Sequence, residues 1–465
     1  MESQVASAVT QQKVSLPTVA VASAHQATPT RVPDVPGRTI PYDLFLDCVH
    51  CGLCTSACPT FLELGTEMDS PRGRIYLMRG VVDGRIPFDE NVRRHLDLCL
   101  DCRACESACP SGVQYGRLIE PFRSDLQRLS LQEQLPRWLE LLLFQLFPWP
   151  KWTWWSLYPV RWLQRVFGLD WWKPLASWLP LQLRHMLALL PPLPRRYHRF
   201  PDYLRARGER RARVAVFLGC VNHVFFPHVN EATVRLLQFQ GCDVLVPENQ
   251  VCCGALHYHA GRIRTAQQLA QVNLRAFPSE IDAIVVNVAG CGSTLKDYGH
   301  LLADTPYAEQ GRAFAAKVKD VHEFLATLDF YPPDFGLPIR ATYHDACHLC
   351  HAQQIRQQPR RLLQQIPQLK LVPLQESEVC CGAAGSYNLT QPEMAERLGQ
   401  RKARHILQAD VQAVFTANAG CLLQIRRHLE KHARQIWVAH PVEALWAACN
   451  GHIPYRGIPV SSVRN

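Results

Sequence analysis

The chain has 465 residues, a formal net charge of +10, 47% hydrophobic residues and 19% charged residues. This length predicts about three domains of about 150 residues each, so a single small module is excluded, and the composition is that of a globular protein. The 19 cysteines are an odd number and cannot all form internal disulfides. Metal or redox chemistry is therefore the first function to test.

The N-terminal segment, residues 1–37, contains mainly Ala, Val, Ser, Thr, Gln and Pro. We expect a disordered tail, with a cleaved organelle transit peptide as the alternative. The segment lacks the basic start and apolar core of a secretory signal. The chain contains no run of 18 apolar residues, so we do not expect a membrane-spanning helix. We therefore expect a cytoplasmic location, where clustered cysteines usually hold metal rather than form disulfides.

Residues 38–130 contain two cysteine runs with the same spacing, C-x2-C-x2-C-x3-C-P. The first run consists of Cys48, Cys51, Cys54 and Cys58, and the second of Cys99, Cys102, Cys105 and Cys109. In bacterial ferredoxins with this spacing, the last cysteine of each run serves the other cluster. We therefore predict one [4Fe-4S] cluster on Cys48, Cys51, Cys54 and Cys109, and a second on Cys99, Cys102, Cys105 and Cys58.

Zinc is the alternative metal, because C-x2-C pairs also build zinc ribbons. Zinc sites usually use two separated pairs, whereas each run here has four cysteines and a terminal proline. Between the runs, residues 71–80 predict a helix that Pro71 opens and Gly80 closes. The segment is expected to be a mainly helical ferredoxin-type domain.

Residues 131–210 form a basic linker that is rich in tryptophan. Nine of the eleven tryptophans lie between Trp138 and Trp178, and the linker has 12 Lys and Arg against 5 Asp and Glu. One interpretation is a set of short amphipathic helices at a membrane surface. The other is a segment that packs against the chain's own domains or a partner subunit. We do not expect nucleic-acid binding, because no recognisable nucleic-acid-binding fold accompanies the linker.

From residue 211 the chain repeats itself with a period near 128, in copies at residues 211–335 and 336–451. Each copy has one cysteine, then a vicinal cysteine pair before glycine, then a fourth cysteine after glycine. These are Cys220, Cys252, Cys253 and Cys291 in the first copy, and Cys347, Cys380, Cys381 and Cys421 in the second. We also match residues 321–323 with residues 439–441, which pairs His322 with His440. The pattern predicts an internal duplication, followed by a C-terminal tail at residues 452–465.

Each copy alternates strand and helix patterns. Residues 214–218 and 284–288 predict buried parallel strands, and residues 228–240 and 262–276 predict helices. We expect two α/β units whose cysteines lie in loops between strands and helices, where open parallel sheets bind ligands. The complete chain is thus predicted to be an α+β multidomain protein, with a helical ferredoxin domain before two duplicated α/β units.

The four cysteines of each copy could hold a further cluster or another metal, or could cycle as dithiols. The alternative is a scaffold in which they are only small buried hydrophobic residues. Four matched cysteines in both copies favour the redox or metal role. Residues 347–351 also match the C-x-x-C-H pattern of haem attachment, which we reject because Cys347 aligns with Cys220 and no export signal is present.

The order of these motifs resembles the iron–sulfur subunit of glycolate oxidase (glycolate dehydrogenase), which has two ferredoxin runs, a linker and two CCG domains. The likeness covers about residues 40–447, and the strings at 48–54, 69–77 and 290–299 make it more specific than a ferredoxin match. Related subunits belong to lactate-utilisation, anaerobic glycerol-3-phosphate dehydrogenase and heterodisulfide reductase systems. Thr294 and Gln424 replace the last cysteine of the family's C-x-x-C, which puts unusual clusters of the heterodisulfide reductase type in doubt here.

The resemblance implies an electron-transfer subunit with no catalytic residue of its own. The chain has no G-x-G-x-x-G fingerprint, and oxidation of a 2-hydroxy acid needs a hydride acceptor. FAD on partner subunits would oxidise glycolate to glyoxylate, and this chain would pass the electrons toward a quinone or other acceptor, with peripheral contact to the cytoplasmic face of a membrane. The alternatives are a thiol/disulfide reductase of the heterodisulfide reductase type and a relay for lactate or glycerol-3-phosphate oxidation.

Overall fold

The computed structural model describes residues 35–132, 135–432, 435–452 and 461–462. The predictions for the N-terminal tail therefore lie outside the described residues up to residue 34, and those for the C-terminal tail do so at residues 453–460 and 463–465. The described residues from Pro36 onward belong to one structural unit.

The ferredoxin-type segment is helical, as the sequence predicts. Its helices are α1 (Asp43–Leu46), α2 (Pro59–Leu64), α3 (Pro71–Val82), α4 (Glu90–Asp97), α5 (Ala104–Ser107) and α6 (Gly116–Arg128), with a 3-10 turn at Glu67–Asp69. Pro71 opens α3 as predicted, and the hydroxyl of Ser70 caps it by accepting from the N–H of Gly73. The predicted end at Gly80 is wrong, because Gly80 lies inside the helix against Ile86 and the left-handed residue is Gly84.

The linker consists of short helices broken by prolines. They are α7 (Arg137–Glu140), a π-helical turn (Leu141–Leu146), α8 (Pro150–Ser156), α9 (Tyr158–Phe167), a 3-10 helix (Lys173–Trp178) and α10 (Leu181–Leu189). Proline in the first turn of α8 and of α9 starts a new helix because its missing N–H is not needed there. In the described part of the chain, none of the helices has the length and apolar character that crossing a bilayer requires.

The first copy is built on a five-stranded sheet of order β1-β3-β2-β4-β5, in which only the edge strand β1 is antiparallel. Its strands are β1 (Tyr203–Leu204), β2 (Ala212–Phe217), β3 (Cys242–Leu245), β4 (Ala283–Val286) and β5 (Val318–Asp320). Its helices are α11 (Cys220–Phe225), α12 (Pro227–Phe239), α13 (Ala255–His259), α14 (Ile263–Ala276), α15 (Ala289–Lys296), α16 (Tyr298–Leu301), α17 (Ala308–Lys317) and α18 (Val321–Thr327). The two strands and two helices predicted for this copy are confirmed to within two residues at each end.

The second copy has a parallel sheet of order β10-β9-β7-β8, preceded by the short strand β6. The strands are β6 (Phe335–Gly336), β7 (Arg340–Tyr343), β8 (Lys370–Val372), β9 (Ala413–Phe415), β10 (Trp437–Ala439) and β11 (Ser461–Ser462), which pairs with β6. The helices are a π-helical turn (His348–Ala352), α19 (Gln358–Leu363), α20 (Tyr387–Thr390), α21 (Pro392–Gln408), α22 (Ala419–Leu429) and α23 (Pro441–Asn450).

The two sheets share one strand order once β2 and β7 are superposed as the first strand of each copy. In each copy the strands then lie in the order second, first, third, fourth, which is β3-β2-β4-β5 in the first copy and β8-β7-β9-β10 in the second. These four strands are parallel in both sheets. This confirms the predicted duplication as two α/β units. Their apolar side chains form a common core, in which Val214 and Val216 of the first sheet join Ala341 and Tyr343 of the second.

One predicted equivalence between the copies is wrong. Helix α18 is capped by Asp320 with Glu323 in a capping box, and α23 is capped by His440 with Glu443 in the same way. Asp320, not His322, is therefore the counterpart of His440. The two histidines stack on each other across the junction of the copies, with ring centroids 5.4 Å apart.

Candidate metal centres

The two ferredoxin loops share an unusual backbone conformation. The second and fourth residues after the first cysteine have positive φ in both loops, at His50 (55°) and Gly52 (86°), and at Asp101 (53°) and Arg103 (61°). Residues other than glycine rarely adopt this conformation, and turns of this kind can direct backbone N–H groups toward an anion. In the second loop the N–H of Asp101 donates to the thiol of Cys99 at 3.4 Å.

The first group of ferredoxin cysteines lines a concave site. Cys48, Cys51 and Cys54 of the first run meet Cys109 of the second run there, and Cys105 also borders it. Cys51 is exposed and the others are partly exposed. The structure thus brings together the four thiols predicted for the first cluster, close to the protein surface.

The second group is more deeply buried. Cys58, at the N-terminus of α2, lies near Cys99, Cys102 and Cys105 of the second run. Burial raises the pKa of the Cys102 thiol well above its usual range, and the neighbouring thiols of Cys380, Cys58 and Cys99 raise it further. The four thiols predicted for the second cluster are therefore neighbours as well.

A buried arginine that the sequence analysis missed lies beside the second group. Arg74 on α3 is only 1% exposed; its Nη1 lies 3.8 Å from the sulfur of Cys58, and its Nε donates to the carbonyl of His95 at 2.6 Å. Its Nη2 is 3.6 Å from Asp69 but makes no hydrogen bond to any described residue. Burial lowers the pKa of Arg74, but Cys99, Tyr115 and Cys58 raise it more, so the guanidinium remains charged.

These surroundings fit an anionic group held by thiolates. A buried cation is costly unless negative charge lies nearby, and Arg74 places its Nη1 3.8 Å from the sulfur of Cys58, with Cys99 also in its surroundings. The hydroxyl of Tyr115 also donates to the sulfur of Cys99 at 3.6 Å. Eight thiols in two groups of four, with donors aimed at sulfur, match the needs of two iron–sulfur clusters.

The cysteines of the first copy also meet at one place. Cys220 begins α11 after β2, the pair Cys252 and Cys253 precedes α13, and Cys291 lies on α15 after β4. The thiol of Cys220 donates to Cys252 at 3.4 Å, and Cys253 is hydrogen bonded to Cys291. Cys252 and Cys253 lie in a loop between strand and helix as predicted, whereas Cys220 and Cys291 lie in the first turns of α11 and α15. The four meet next to the carboxyl ends of β2 and β4, where this strand order forms its binding crevice.

The second copy gathers its four cysteines in the same way and adds a histidine. Cys380 is hydrogen bonded to Cys347 and Cys381, and Cys381 to Cys421. A ring nitrogen of His344 and the sulfurs of Cys381 and Cys421 all lie within 4.8 Å of one another.

His344 stands three residues before Cys347, where the first copy has Phe217 before Cys220. Its Nδ1 bonds the carbonyl of Ser377 at 2.9 Å, and its buried Nε2 has no hydrogen-bond partner among the described residues. His344 was not predicted from the sequence, although its place directly after β7 was a usable signal. This imidazole adds a side chain that could ligate a metal to the cysteines of the second copy.

A glycine after each vicinal pair shapes both sites. Gly254 and Gly382 have φ of 88° and 86°, a conformation that L side chains rarely adopt. A Cβ on Gly382 would also lie 2.9 Å from the carbonyl oxygen of Ala395 on α21. Glycine is therefore needed for the chain to turn sharply after each pair while both thiols stay in the site.

The residues that replace the family's final cysteines are used elsewhere. Thr294 donates to the carbonyl of Gly290 at 3.2 Å, and Gln424 donates to the carbonyl of Ala395 at 2.8 Å. Both are buried. They stabilise the helices that carry Cys291 and Cys421 and add no sulfur ligand to either site.

The ferredoxin domain joins the second copy at its cysteine site. Cys102 lies in one buried cluster with Cys380, against which Cys347 also packs. His348, next to Cys347, bonds the carbonyl of Asp101 through Nε2 at 2.9 Å, and His351 bonds Ser107 through Nδ1 at 3.0 Å. Both histidines of the C-x-x-C-H string thus connect the second copy to the ferredoxin domain.

The first copy meets the ferredoxin domain through ion pairs instead. His259 Nδ1 lies 3.1 Å from Asp101 and 3.0 Å from Glu120, and Arg103 contacts both carboxylates at 2.7 Å. Burial lowers the pKa of His259, but its hydrogen bonds to Asp101 and Glu120 raise the pKa to about 9. Asp101, Glu120, His259 and Arg103 thus form a buried ion-pair network, in which the guanidinium of Arg103 beside both carboxylates opposes the binding of a metal cation despite the spacing of the group.

Comparison with known proteins defines the class first. Residues 45–113 match the 4Fe-4S dicluster domain family, and residues 214–296 and 341–426 match the cysteine-rich domain family. The chain is thus an iron–sulfur protein in which a dicluster ferredoxin domain precedes a duplicated cysteine-rich domain, so iron is favoured over the zinc alternative.

Individual relatives show to which family within this class of iron–sulfur proteins the chain belongs. The chain is 40% identical to the probable glycolate oxidase iron-sulfur subunit of Bacillus subtilis, over 83% of this chain and 89% of the relative. It is 34% identical to the glycolate oxidase iron-sulfur subunit of Escherichia coli, over 80% and 88%, and 33% identical to lactate utilization protein A of Geobacillus thermodenitrificans, over 50% and 98%. The chain belongs to the family of glycolate oxidase iron-sulfur subunits.

Proposed function

We propose that this chain transfers electrons in a glycolate-oxidising complex. A partner subunit carrying FAD would oxidise glycolate to glyoxylate, and this chain would pass the electrons toward a quinone or another acceptor. The names of the relatives support the complex, and the lack of a dinucleotide fingerprint supports a separate flavoprotein. The observation that carries the proposal is the line of thiol groups from an exposed site, through a buried one, to the cysteines of the second copy.

The proposed ligands are the eight ferredoxin cysteines in their two observed groups. Cys48, Cys51, Cys54 and Cys109 hold the first [4Fe-4S] cluster, and Cys58, Cys99, Cys102 and Cys105 hold the second. Such clusters supply one-electron transfer. Around the second group, Arg74 offsets negative charge, and Tyr115 and the N–H of Asp101 donate to the sulfur of Cys99.

Electrons would enter at the first group, because apolar side chains surround it on the surface. We call these residues the donor surface: Tyr42, Leu46, Val49, Leu53 and Tyr76, which are 40–67% exposed. Val49 and Leu53 lie in the first cysteine loop itself, next to the exposed Cys51. Exposed apolar patches mark interaction sites, so we assign docking of the flavoprotein to this surface.

Electrons would leave the second group through the second copy. Cys102 and Cys380 are 9% and 3% exposed, and the apolar side chains around them keep water from the path between the two sites. We propose that Cys347, Cys380, Cys381 and Cys421, with His344, form a further metal or redox centre there. The cysteines of the first copy have no matching histidine, and in that copy the contact to the ferredoxin domain is made by ion pairs.

The thiol/disulfide reductase alternative requires a substrate to reach a vicinal pair. Cys252, Cys253, Cys380 and Cys381 are all buried, at 3% exposure or less. This burial favours electron relay over attack on a disulfide. A relay for lactate oxidation would use the same residues with another partner, and the similarity to lactate utilization protein A keeps it as the second candidate.

The test uses the complex purified anaerobically with its flavoprotein. We expect iron and acid-labile sulfide in the complex, and glycolate-dependent dye reduction that Cys102→Ser abolishes together with one EPR signal. Flavin reduction by glycolate should survive in that variant. Cys242→Ser, a buried cysteine of β3 outside all four groups, is the control and should retain activity.

Three results would contradict the proposal. Unchanged turnover in Cys102→Ser would refute the relay, and zinc in place of iron would refute the clusters. Reduction of the dye with lactate but not with glycolate would favour the second candidate, a relay for lactate oxidation.

A further inference from the structure

The linker exposes a row of aromatic side chains that nothing in the described structure covers. We call them the aromatic surface: Trp149, Trp152, Trp155, Tyr158, Trp162, Phe167 and Trp178. Trp178 is 87% exposed, Trp152 68% and Trp155 63%. We propose that the aromatic surface binds the headgroup region of a bilayer that contains anionic phospholipid. Neither cluster nor flavoprotein enters this inference, so it stands apart from the electron-transfer proposal.

The aromatic surface belongs to a segment that is itself well packed on its other side. Thr153 of α8 is buried and donates to the carbonyl of Leu146 at 2.8 Å. The ring of Trp154 lies 5.9 Å from Tyr197, and the guanidinium of Arg161 lies 3.8 Å above it. Trp154 and Leu157 also pack against the common core of the two copies, so the segment lies on the chain's own domains, as one interpretation predicted. Trp152 and Trp155, the neighbours of Thr153 and Trp154, stay in solvent.

Helix α9 shows most clearly that the surface lacks a partner. None of its ten residues is buried, although Trp162, Val166 and Phe167 are apolar and at least half exposed. A helix in a folded protein normally buries its apolar stripe. A helix that exposes this stripe next to further tryptophans requires an apolar environment from outside the chain.

The charge of the segment identifies that environment. Residues 141–178 contain four basic residues and one acidic residue. Lys151 and Lys173 are about 60% exposed, and their ion pairs with Glu248 and Asp170 are surface pairs, which are weak. They remain available to lipid phosphates, which attract basic residues near a membrane surface.

The chemistry favours a bilayer over a protein partner. Tryptophan prefers the depth of lipid headgroups, where its ring is shielded and its N–H is hydrated, and lysine near it meets phosphate. Lysine is depleted in protein interfaces, yet here Lys151 precedes Trp152 in α8 and Lys173 follows Trp172. The short helices between prolines suit a segment that lies in the plane of the interface.

Vesicle sedimentation with the purified cluster-containing chain tests the proposal. We expect binding to vesicles of phosphatidylcholine mixed with phosphatidylglycerol, weaker binding to phosphatidylcholine alone, and a blue shift of tryptophan emission that brominated lipid quenches. Replacing Trp152, Trp155 and Trp178 together by Gln should weaken binding at least about tenfold. Trp178→Gln alone should weaken it less, and provides a milder variant if the triple variant folds poorly.

The matched control removes an exposed aromatic residue elsewhere. Tyr331 is 44% exposed and lies outside the linker, and Tyr331→Gln should bind vesicles like the original chain. The basic residues are tested by Lys151→Gln with Lys173→Gln, which should reduce the preference for anionic vesicles. The proposal fails if neither vesicle binds, if the triple variant binds as well as the original, or if the aromatic surface binds only the purified flavoprotein.

Discussion

Cys102 of the second ferredoxin loop and Cys380 of the second cysteine-rich copy lie in the same buried cluster, close enough that Cys380 raises the pKa of Cys102. In the first copy, the counterpart of Cys380 is Cys252, which packs instead within the core of that copy. Two sites of similar composition therefore differ in their connection to the ferredoxin domain.

This difference predicts unequal effects of matched substitutions. Cys380→Ala should slow reoxidation of the second cluster by the acceptor at least about tenfold, because it disrupts the centre that borders Cys102. Cys252→Ala should change this rate much less. Rapid-freeze EPR of the reduced complex after addition of the acceptor measures both rates. Equal rates in the two variants would contradict an electron pathway that leaves the second cluster through the second copy.

Arg74 should raise the reduction potential of the second cluster. For a unit charge taken to lie about 7 Å from the centre of a bound cluster, the contribution is about 2.4 kcal/mol at an effective dielectric constant of about 20, which equals about 100 mV for one electron. We expect Arg74→Met to lower the potential by about this amount in an EPR redox titration, since the cation favours the more negative reduced state.

Two further variants distinguish charge from packing. Arg74→Lys keeps the positive charge and should shift the reduction potential of the second cluster much less than Arg74→Met does. Arg79→Met, one to two turns further along α3 and partly exposed, should leave the potential unchanged. If Arg74→Lys shifted the potential as much as Arg74→Met, the effect would come from packing.

The sequence predicted the parts of the sites that depend on local spacing. In the two C-x2-C-x2-C-x3-C runs and in the vicinal pairs followed by glycine, the short loop that carries the thiols sets their positions. In the two copies, the strand pattern also shows that the cysteines lie at the carboxyl edge of a sheet. The strands near residues 214–218 and 284–288 were found for the same reason, because a buried parallel strand is a short apolar run.

The missed parts depend on contacts between distant segments. Arg74 reads as one arginine among several on an amphipathic helix, and only the fold shows that it is buried beside Cys58 and Cys99. The contact of Cys102 with Cys380 has no signal in either motif. Pairing His322 with His440 failed because these histidines face each other across the copies, while the true counterparts, Asp320 and His440, are different residue types that cap equivalent helices.

His344 should distinguish metal binding by the two copies. Replacing it with Phe, the residue of the first copy, removes the imidazole nearest Cys381 and Cys421. We expect His344→Phe to weaken metal binding by the second copy at least about tenfold, because one ligand of the set is lost.

The measurement is titration of the anaerobic chain with Co²⁺, followed through its thiolate charge-transfer absorption, together with the total metal content. His405→Phe, a partly buried histidine of α21 that pairs with Glu376, is the control and should bind like the original chain. Equal Co²⁺ affinity in His344→Phe would show that the imidazole is not a ligand.

His259 should make the stability of the chain depend on pH. Its pKa is raised to about 9 in the folded state by hydrogen bonds to Asp101 and Glu120 that outweigh burial, against about 6.5 when unfolded. Stability from this group is therefore complete below about pH 6.5 and is lost as pH rises through about 9, by up to about 3 kcal/mol. Chemical denaturation of the original chain and of His259→Gln across this range gives the difference, which should be largest near pH 6 and shrink toward pH 9. The control is His452→Gln, which replaces an exposed histidine near the end of the described chain and should show no such trend. If the free energy of unfolding of His259→Gln differed from that of the original chain by the same amount at every pH, the imidazole would not be protonated in the folded protein.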